Sequence, residues 1–305
     1  FVETIEHITK EFRMLKQFHA QGRPYIAPLK VAILTAWGKL RSWVYVGHFI
    51  HGMELYELTE SLAGLPVEVS FISFNNILEQ GIPKDIDVII NAGKVGTAWS
   101  GGEHWKNEKI IEAITRWVDS GGGFIGVGEP SAIQYSSQYF QLSHLLGVDR
   151  ETGLTLNNVK LASAVSQNKH FIFEDMKNGI DLGKDIDNIF VLGKNTKVLL
   201  QMNESVKIAL NQFGRGQSMY LSGFRFTPQN TRLLHRSLYW VAGRQKDYGP
   251  WTCSNIYTDC AFYPDIRKLV VINSSDSAEK TKVFVSDGKT CEVSLEPHGI
   301  QIVDL

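Results

Sequence analysis

Apolar positions along this chain repeat with two different periods. Val2, Ile5, Ile8, Phe12 and Leu15 recur at three- and four-residue spacing, which places them on one face of a helix. Gln21-Gly22-Arg23-Pro24 stops that helix, since glycine and proline end the periodic pattern. Val31-Ala32-Ile33-Leu34 is then apolar without interruption, the pattern of a strand buried on both faces. Leu55, Leu58, Leu62 and Ala63 predict a helix ending at Gly64, and the alternation over 67–74 predicts a second strand. Residues 87–93 read as a third strand. A helix follows, with Ile110, Ile111, Ile114, Trp117 and Val118 on one face. Gly121, Gly122 and Gly123 close it and launch a fourth strand. Strands alternating with helices of this length predict an α/β fold with a doubly wound, mostly parallel, Rossmann-like sheet.

Beyond Arg150 the alternation weakens. Residues 197–201 and 206–212 read as strands, and Gly214-Arg215-Gly216 turns the chain into a further strand through Met219, Tyr220 and Leu221. Thr227-Pro228 caps a helix that carries Leu233, Leu234, Leu238 and Val241. From about Asp247 short strands, at 269–273, 282–285 and 300–303, are split by Ser, Asp and Gly, which predicts a small antiparallel β domain. The expected partition is a helix over 1–28, an α/β domain over 29–247 and a β domain over 248–305. The apolar face of the first helix needs a cover. Either the domain behind it supplies one or the natural chain begins earlier, and the start at Phe1 favours a fragment.

Composition narrows the function classes. A formal net charge of -1 over 305 residues gives no electrostatic reason to expect nucleic acid or an anionic membrane as partner. The cysteines Cys253, Cys260 and Cys291 form no C-x-x-C pair, which suits a reducing, cytoplasmic setting better than a disulfide framework. His48 and His51 are close in sequence, but no H-x-x-H or carboxylate cluster at metal spacing accompanies them, so no metal and no organic cofactor is expected. No apolar run approaches the ~20 residues of a membrane span.

Gly121, Gly123 and Gly126 match G-x-G-x-x-G in form. The dinucleotide fingerprint requires strand, glycines, then helix, so that the pyrophosphate meets a helix N-terminus. Here the order is helix, glycines, strand, and the match is accidental. The strand's end, Gly128-Glu129-Pro130-Ser131, has the shape of a nucleophile elbow. Class I glutamine amidotransferases carry a cysteine there; this chain has Gly128 and Glu129, with its cysteines far downstream. Covalent acyl transfer lacks its attacking atom. Two other loops fall at carboxyl ends of predicted parallel strands, where open sheets place ligands. One carries Lys39, Arg41 and His48, an anion-binding set flanked by Trp37 and Trp43; the other carries Glu103, His104 and Trp105. Solvated or structural roles weigh against each residue taken singly.

Residues 35–43 (Thr-Ala-Trp-Gly-Lys-Leu-Arg-Ser-Trp) with Gly47-His48 carry a resemblance to a bacterial enzyme family. So do Leu62-Ala63-Gly64-Leu65-Pro66-Val67, Phe71-Ile72-Ser73-Phe74, residues 85–93, residues 122–131, Phe140-Gln141-Leu142 and Gly147-Val148-Asp149. The chain resembles the 1,3-β-galactosyl-N-acetylhexosamine (galacto-N-biose/lacto-N-biose) phosphorylases, most weakly between Glu151 and Lys194. The resemblance implies a glutamine amidotransferase-like α/β domain without its nucleophile and a small C-terminal β domain. It also implies a large N-terminal (β/α) barrel, absent here, that holds the general acid and most sugar contacts, with residues 1–28 as its tail. The implied reaction is phosphorolysis with inversion, giving galactose 1-phosphate and N-acetylhexosamine, or rhamnose in related members. Inorganic phosphate is the co-substrate. No catalytic residue carries over to this chain, and the loops with Lys39, Arg41, His48, Glu103, His104 and Trp105, together with Glu129, become candidates for facing ligand or barrel. A homodimer is left open. The alternatives are an oligomerisation module of another sugar enzyme, such as a galactosyl-rhamnose phosphorylase, and a free-standing amidotransferase-like hydrolase.

Overall fold

In the computed structural model the described residues are 2–36, 53–152, 169–176, 179–285 and 288–305. They fall into two compact units, one made of Pro28–Tyr248 and the other of Phe1–Ala27 with Gly249–Leu305. The first and last pieces of the chain, read separately from the sequence, therefore share one unit.

The larger unit is built on a seven-stranded sheet in the order β2-β1-β3-β4-β9-β8-β7. Its parallel part comprises β1 (Lys30–Thr35), β2 (Glu68–Ser73), β3 (Val88–Gly93), β4 (Gly123–Gly128) and β9 (Gly216–Leu221). The continuous apolar runs of β1, β3 and β4 form its centre, and both β3 and β4 are buried at every position. Two further strands, β8 (Ser205–Phe213) and β7 (Lys197–Met202), extend this sheet antiparallel, with register shifts between Val198 and Gln201. A separate antiparallel pair joins β5 (Val148–Arg150) to β6 (Ile189–Val191).

Helices α2 (Met53–Ala63), α3 (Phe74–Gln80), α4 (Glu108–Asp119), the single turn α5 (Ser143–Leu146) and α6 (Pro228–Val241) complete the unit. α4 is capped by Asn107, whose side chain accepts from Lys109 N at 3.0 Å, and it buries Ile110, Ile114 and Val118. Gly121, at φ +120°, turns the chain from α4 into β4 through a conformation that a side chain would strain. α3 is absent from the sequence prediction, which extended the second strand through Phe74. Ser73 ends β2 instead and caps the helix: its hydroxyl accepts from Asn76 N at 3.1 Å, and the Asn76 carbonyl accepts from Ser73 N at 3.1 Å. This is a capping box closed by Asn rather than by Glu or Gln, in a helix containing two weak helix formers, Asn75 and Asn76.

The smaller unit contains α1 (Val2–Gln21) and two three-stranded antiparallel sheets. One pairs β10 (Thr252–Cys253), β13 (Glu279–Phe284) and β14 (Thr290–Leu295); the other pairs β11 (Thr258–Tyr263), β12 (Lys268–Asn273) and β15 (Ile300–Asp304). Their core holds Cys253, Leu269, Val271, Val283, Val293 and Leu295. The chain following α1 is tied to these strands by Tyr25 N, which donates to Phe262 O at 2.6 Å, and Phe18 of the helix itself lies 5.8 Å from Tyr263, ring to ring. All three cysteines are free thiols. No helix among the described residues is long and apolar enough to cross a membrane.

Candidate functional site at the carboxyl edge of the sheet

Parallel strands expose their carboxyl ends along one edge, and the loop after β3 and the elbow after β4 leave from that edge. Lys39, Arg41 and His48 lie outside the described residues. The loop after β3 and the elbow after β4 are described in full.

At the elbow, Glu129 is 4% exposed, and both of its carboxylate oxygens are occupied. Oε1 pairs with the Arg150 guanidinium and accepts from the Tyr139 hydroxyl at 2.8 Å. Oε2 accepts from Val95 N at 2.9 Å. Burying an anion is costly unless it is paired and hydrogen-bonded, and these three donors meet that requirement. Burial, and after it the adjacent Glu129 charge, pushes the Tyr139 hydroxyl well above its ordinary pKa, so its proton stays in place. Arg150 also lies over the Tyr139 ring, 5.2 Å from its centroid. Its backbone N–H donates to the neighbouring Asp149 Oδ1 at 2.8 Å, which also accepts from Phe140 N at 2.8 Å. Burial raises the Asp149 pKa, while these backbone donors and Tyr139 N oppose the rise.

Ser131 holds φ +52°, an uncommon conformation for a residue bearing a side chain, and it is committed on every side. Its N–H donates to Asn91 Oδ1 at 2.9 Å, its hydroxyl accepts from Leu142 N at 3.1 Å, and its carbonyl accepts from Gln141 N at 2.9 Å. Gly126 allows this fold-back: a Cβ there would meet Pro130 Cγ at 2.6 Å. The elbow thus holds a neutralised ion pair and a serine bonded to the Asn91 side chain and to the backbone of Gln141 and Leu142. It has no nucleophile next to a base, so the arrangement braces the sheet edge.

The loop after β3 separates its candidates. Glu103 is exposed and pairs with Lys106. His104 stacks on Phe74, with ring centroids 4.9 Å apart and planes 11° from parallel. Trp105 does not face outward. Its side chain is fully buried, packed edge-on against Phe74 at 5.0 Å, and its indole N–H donates to Ser100 O. A residue so enclosed anchors the turn from within and is removed from the set facing ligand. Glu129 leaves the set for the same reason. Among the described residues, no group of three or more His, Cys, Asp or Glu could hold a metal ion.

Sequence reading missed two clusters. Asn91 is one: its amide donates to Leu34 O at 3.2 Å and Ser100 O at 3.0 Å while its carbonyl takes Ser131 N, so one buried side chain binds the ends of β1, β3 and β4. The second centres on α6, where Arg236 Nε donates to Asp175 at 2.6 Å and Nη1 donates to Glu174 at 2.9 Å. The Arg236 guanidinium lies over the rings of Phe171 and Tyr248, at 4.8 and 4.4 Å. Arg232 also reaches Asp175, at 3.3 Å. Burial alone would raise the Asp175 pKa, but Arg236 and Arg232 outweigh it and hold the carboxyl below its ordinary value. His235, buried beside them, is pushed down to about 3 by desolvation, with the two arginine charges adding to the shift. Nothing in the local sequence marks either cluster, because the partners lie far apart along the chain.

A family model described as the lacto-N-biose phosphorylase central domain matches residues 30–246. The model of that family's C-terminal domain matches residues 251–303. The chain belongs to the lacto-N-biose phosphorylase family. Within this family it is 37% identical over 306 residues to a 1,3-β-galactosyl-N-acetylhexosamine phosphorylase of Lachnoclostridium phytofermentans, a match covering 98% of this chain and 42% of the relative. It is 35% identical over 337 residues to the enzyme of that name from Bifidobacterium longum, covering 98% of this chain and 45% of the relative. The chain thus spans less than half the length of the curated relatives it matches. Among solved structures, a catalytic mutant of the GH42 β-galactosidase Gan42B from G. stearothermophilus matches with a TM-score of 0.50 at 13% identity, covering 91% of this chain and 40% of that chain. That is a likeness of fold alone.

Proposed function

We propose that this chain is the central and C-terminal part of an inverting β-galactoside phosphorylase, which converts a galactosyl-1,3-N-acetylhexosamine and phosphate to galactose 1-phosphate and N-acetylhexosamine. The family match across residues 30–246 carries the proposal. In such a reaction phosphate attacks the anomeric carbon while one carboxylic acid protonates the departing sugar oxygen. Phosphate is already a nucleophile, so no second carboxylate is required as base. The elbow agrees with this division of labour, since Glu129 is held by Arg150, Tyr139 and Val95 and is committed to structure. We assign the general acid to a barrel domain outside these residues. The strand-end loops carrying Lys39, Arg41 and His48, and Glu103 with His104, are placed against that domain. The parallel strands and the cysteine-free elbow after β4 support an amidotransferase-like ancestry for the larger unit, and the free cysteines support a cytoplasmic setting.

A second reading concerns the acceptor. A D-galactosyl-β-1→4-L-rhamnose phosphorylase of Lachnoclostridium phytofermentans is 35% identical over 296 residues, covering 95% of this chain, and on that likeness the leaving sugar is rhamnose. Incubating the full-length protein with phosphate and either disaccharide, and measuring galactose 1-phosphate, separates the two. The 305-residue chain alone is expected to give no turnover; turnover from it overturns the assignment of the chemistry to a barrel. Exchange of Arg41 or His104 in the full-length protein should alter phosphate or sugar kinetics, and unchanged parameters remove those loops from the site. Light scattering on the chain tests the competing role as an oligomerisation module, which requires a stable dimer without the barrel.

A further inference from the structure

We draw no further inference here: the strongest candidate, the exposed apolar stripe of Val2, Ile5, Ile8 and Phe12 on α1, carries nothing because nothing in the structure shows what covers it.

Discussion

Asn91 Oδ1 accepts the backbone N–H of Ser131 at 2.9 Å, across 40 residues of sequence, at a site closed to solvent. The same side chain donates to the carbonyls of Leu34 and Ser100. Ser100 O keeps the Trp105 indole N–H, so replacing Asn91 takes the side-chain partner from two backbone groups, Leu34 O and Ser131 N, and a buried group left unpaired costs ~1–3 kcal/mol. Asn91→Ala should therefore lower stability by roughly 2 kcal/mol or more. Asn91→Asp, which keeps the acceptor but loses both donors, should also destabilise. Denaturant midpoints measure both, and a wild-type midpoint for Asn91→Ala would show that these loops close without it.

The Glu129–Arg150 pair predicts a separation between stability and catalysis. Breaking a buried pair by removing one partner costs ~3–5 kcal/mol, and a lower figure is expected here because the Arg150 side chain is 26% exposed. Glu129→Gln should reduce the melting temperature. If the full-length protein carries the proposed phosphorolysis, its pH profile should be unchanged, because the carboxylate is already held by Arg150, Tyr139 and Val95. A shifted profile would return Glu129 to the chemistry.

His235 makes an acid-side prediction. Its folded pKa of about 3 lies below the ordinary histidine value, so between the two the unfolded chain binds the proton that the folded chain refuses. Stability is then insensitive to this group above ~6.5 and falls as pH drops from there toward about 3. Thermal melts from pH 7 to pH 4 should show a decline that is shallower in His235→Gln. Parallel curves for the two proteins would refute the assignment.

Gly126→Ala tests the close approach beneath the elbow. The added Cβ would meet Pro130 Cγ at 2.6 Å and a methyl of Leu146 at 3.0 Å. Overpacking of this kind costs ~1–3 kcal/mol, and the loss should appear as a lower denaturation midpoint. Gly81→Ala provides the contrast: a Cβ there meets nothing within 4 Å, so any loss comes from its φ of +76° alone.

What the sequence made legible was whatever repeats over a short window. The apolar runs of β1, β3 and β4, and the helical stripe of α4, stand out because every residue in them faces the same kind of surroundings. α3 did not stand out, being seven residues long and launched by a Ser–Asn cap that resembles the end of a strand. The strands β10, β11 and β14 escaped for a related reason. β14, for example, alternates Thr, Glu and Ser with Cys, Val and Leu over only six residues. At the sheet edge, sequence position singled out loops but could not rank their residues. Trp105 and His104 are adjacent in the chain, yet one is enclosed by Phe74 and Ser100 while the other lies along the Phe74 face. Glu129 stood among the candidates for facing ligand or barrel, and its partner Arg150, 21 residues away, could not be read from the elbow itself.

The pairing of α1 with the C-terminal strands in one unit has a consequence for biosynthesis. In topological terms the larger unit is an insertion within the smaller one. Residues 28–248 are contiguous and can fold as soon as they clear the ribosome. α1, although made before that unit, must wait for strands that are translated after it. Synthesis therefore reverses the order of completion: residues 28–248 mature before the unit that flanks them, and α1 stays without its β partners until β10 to β15 have emerged.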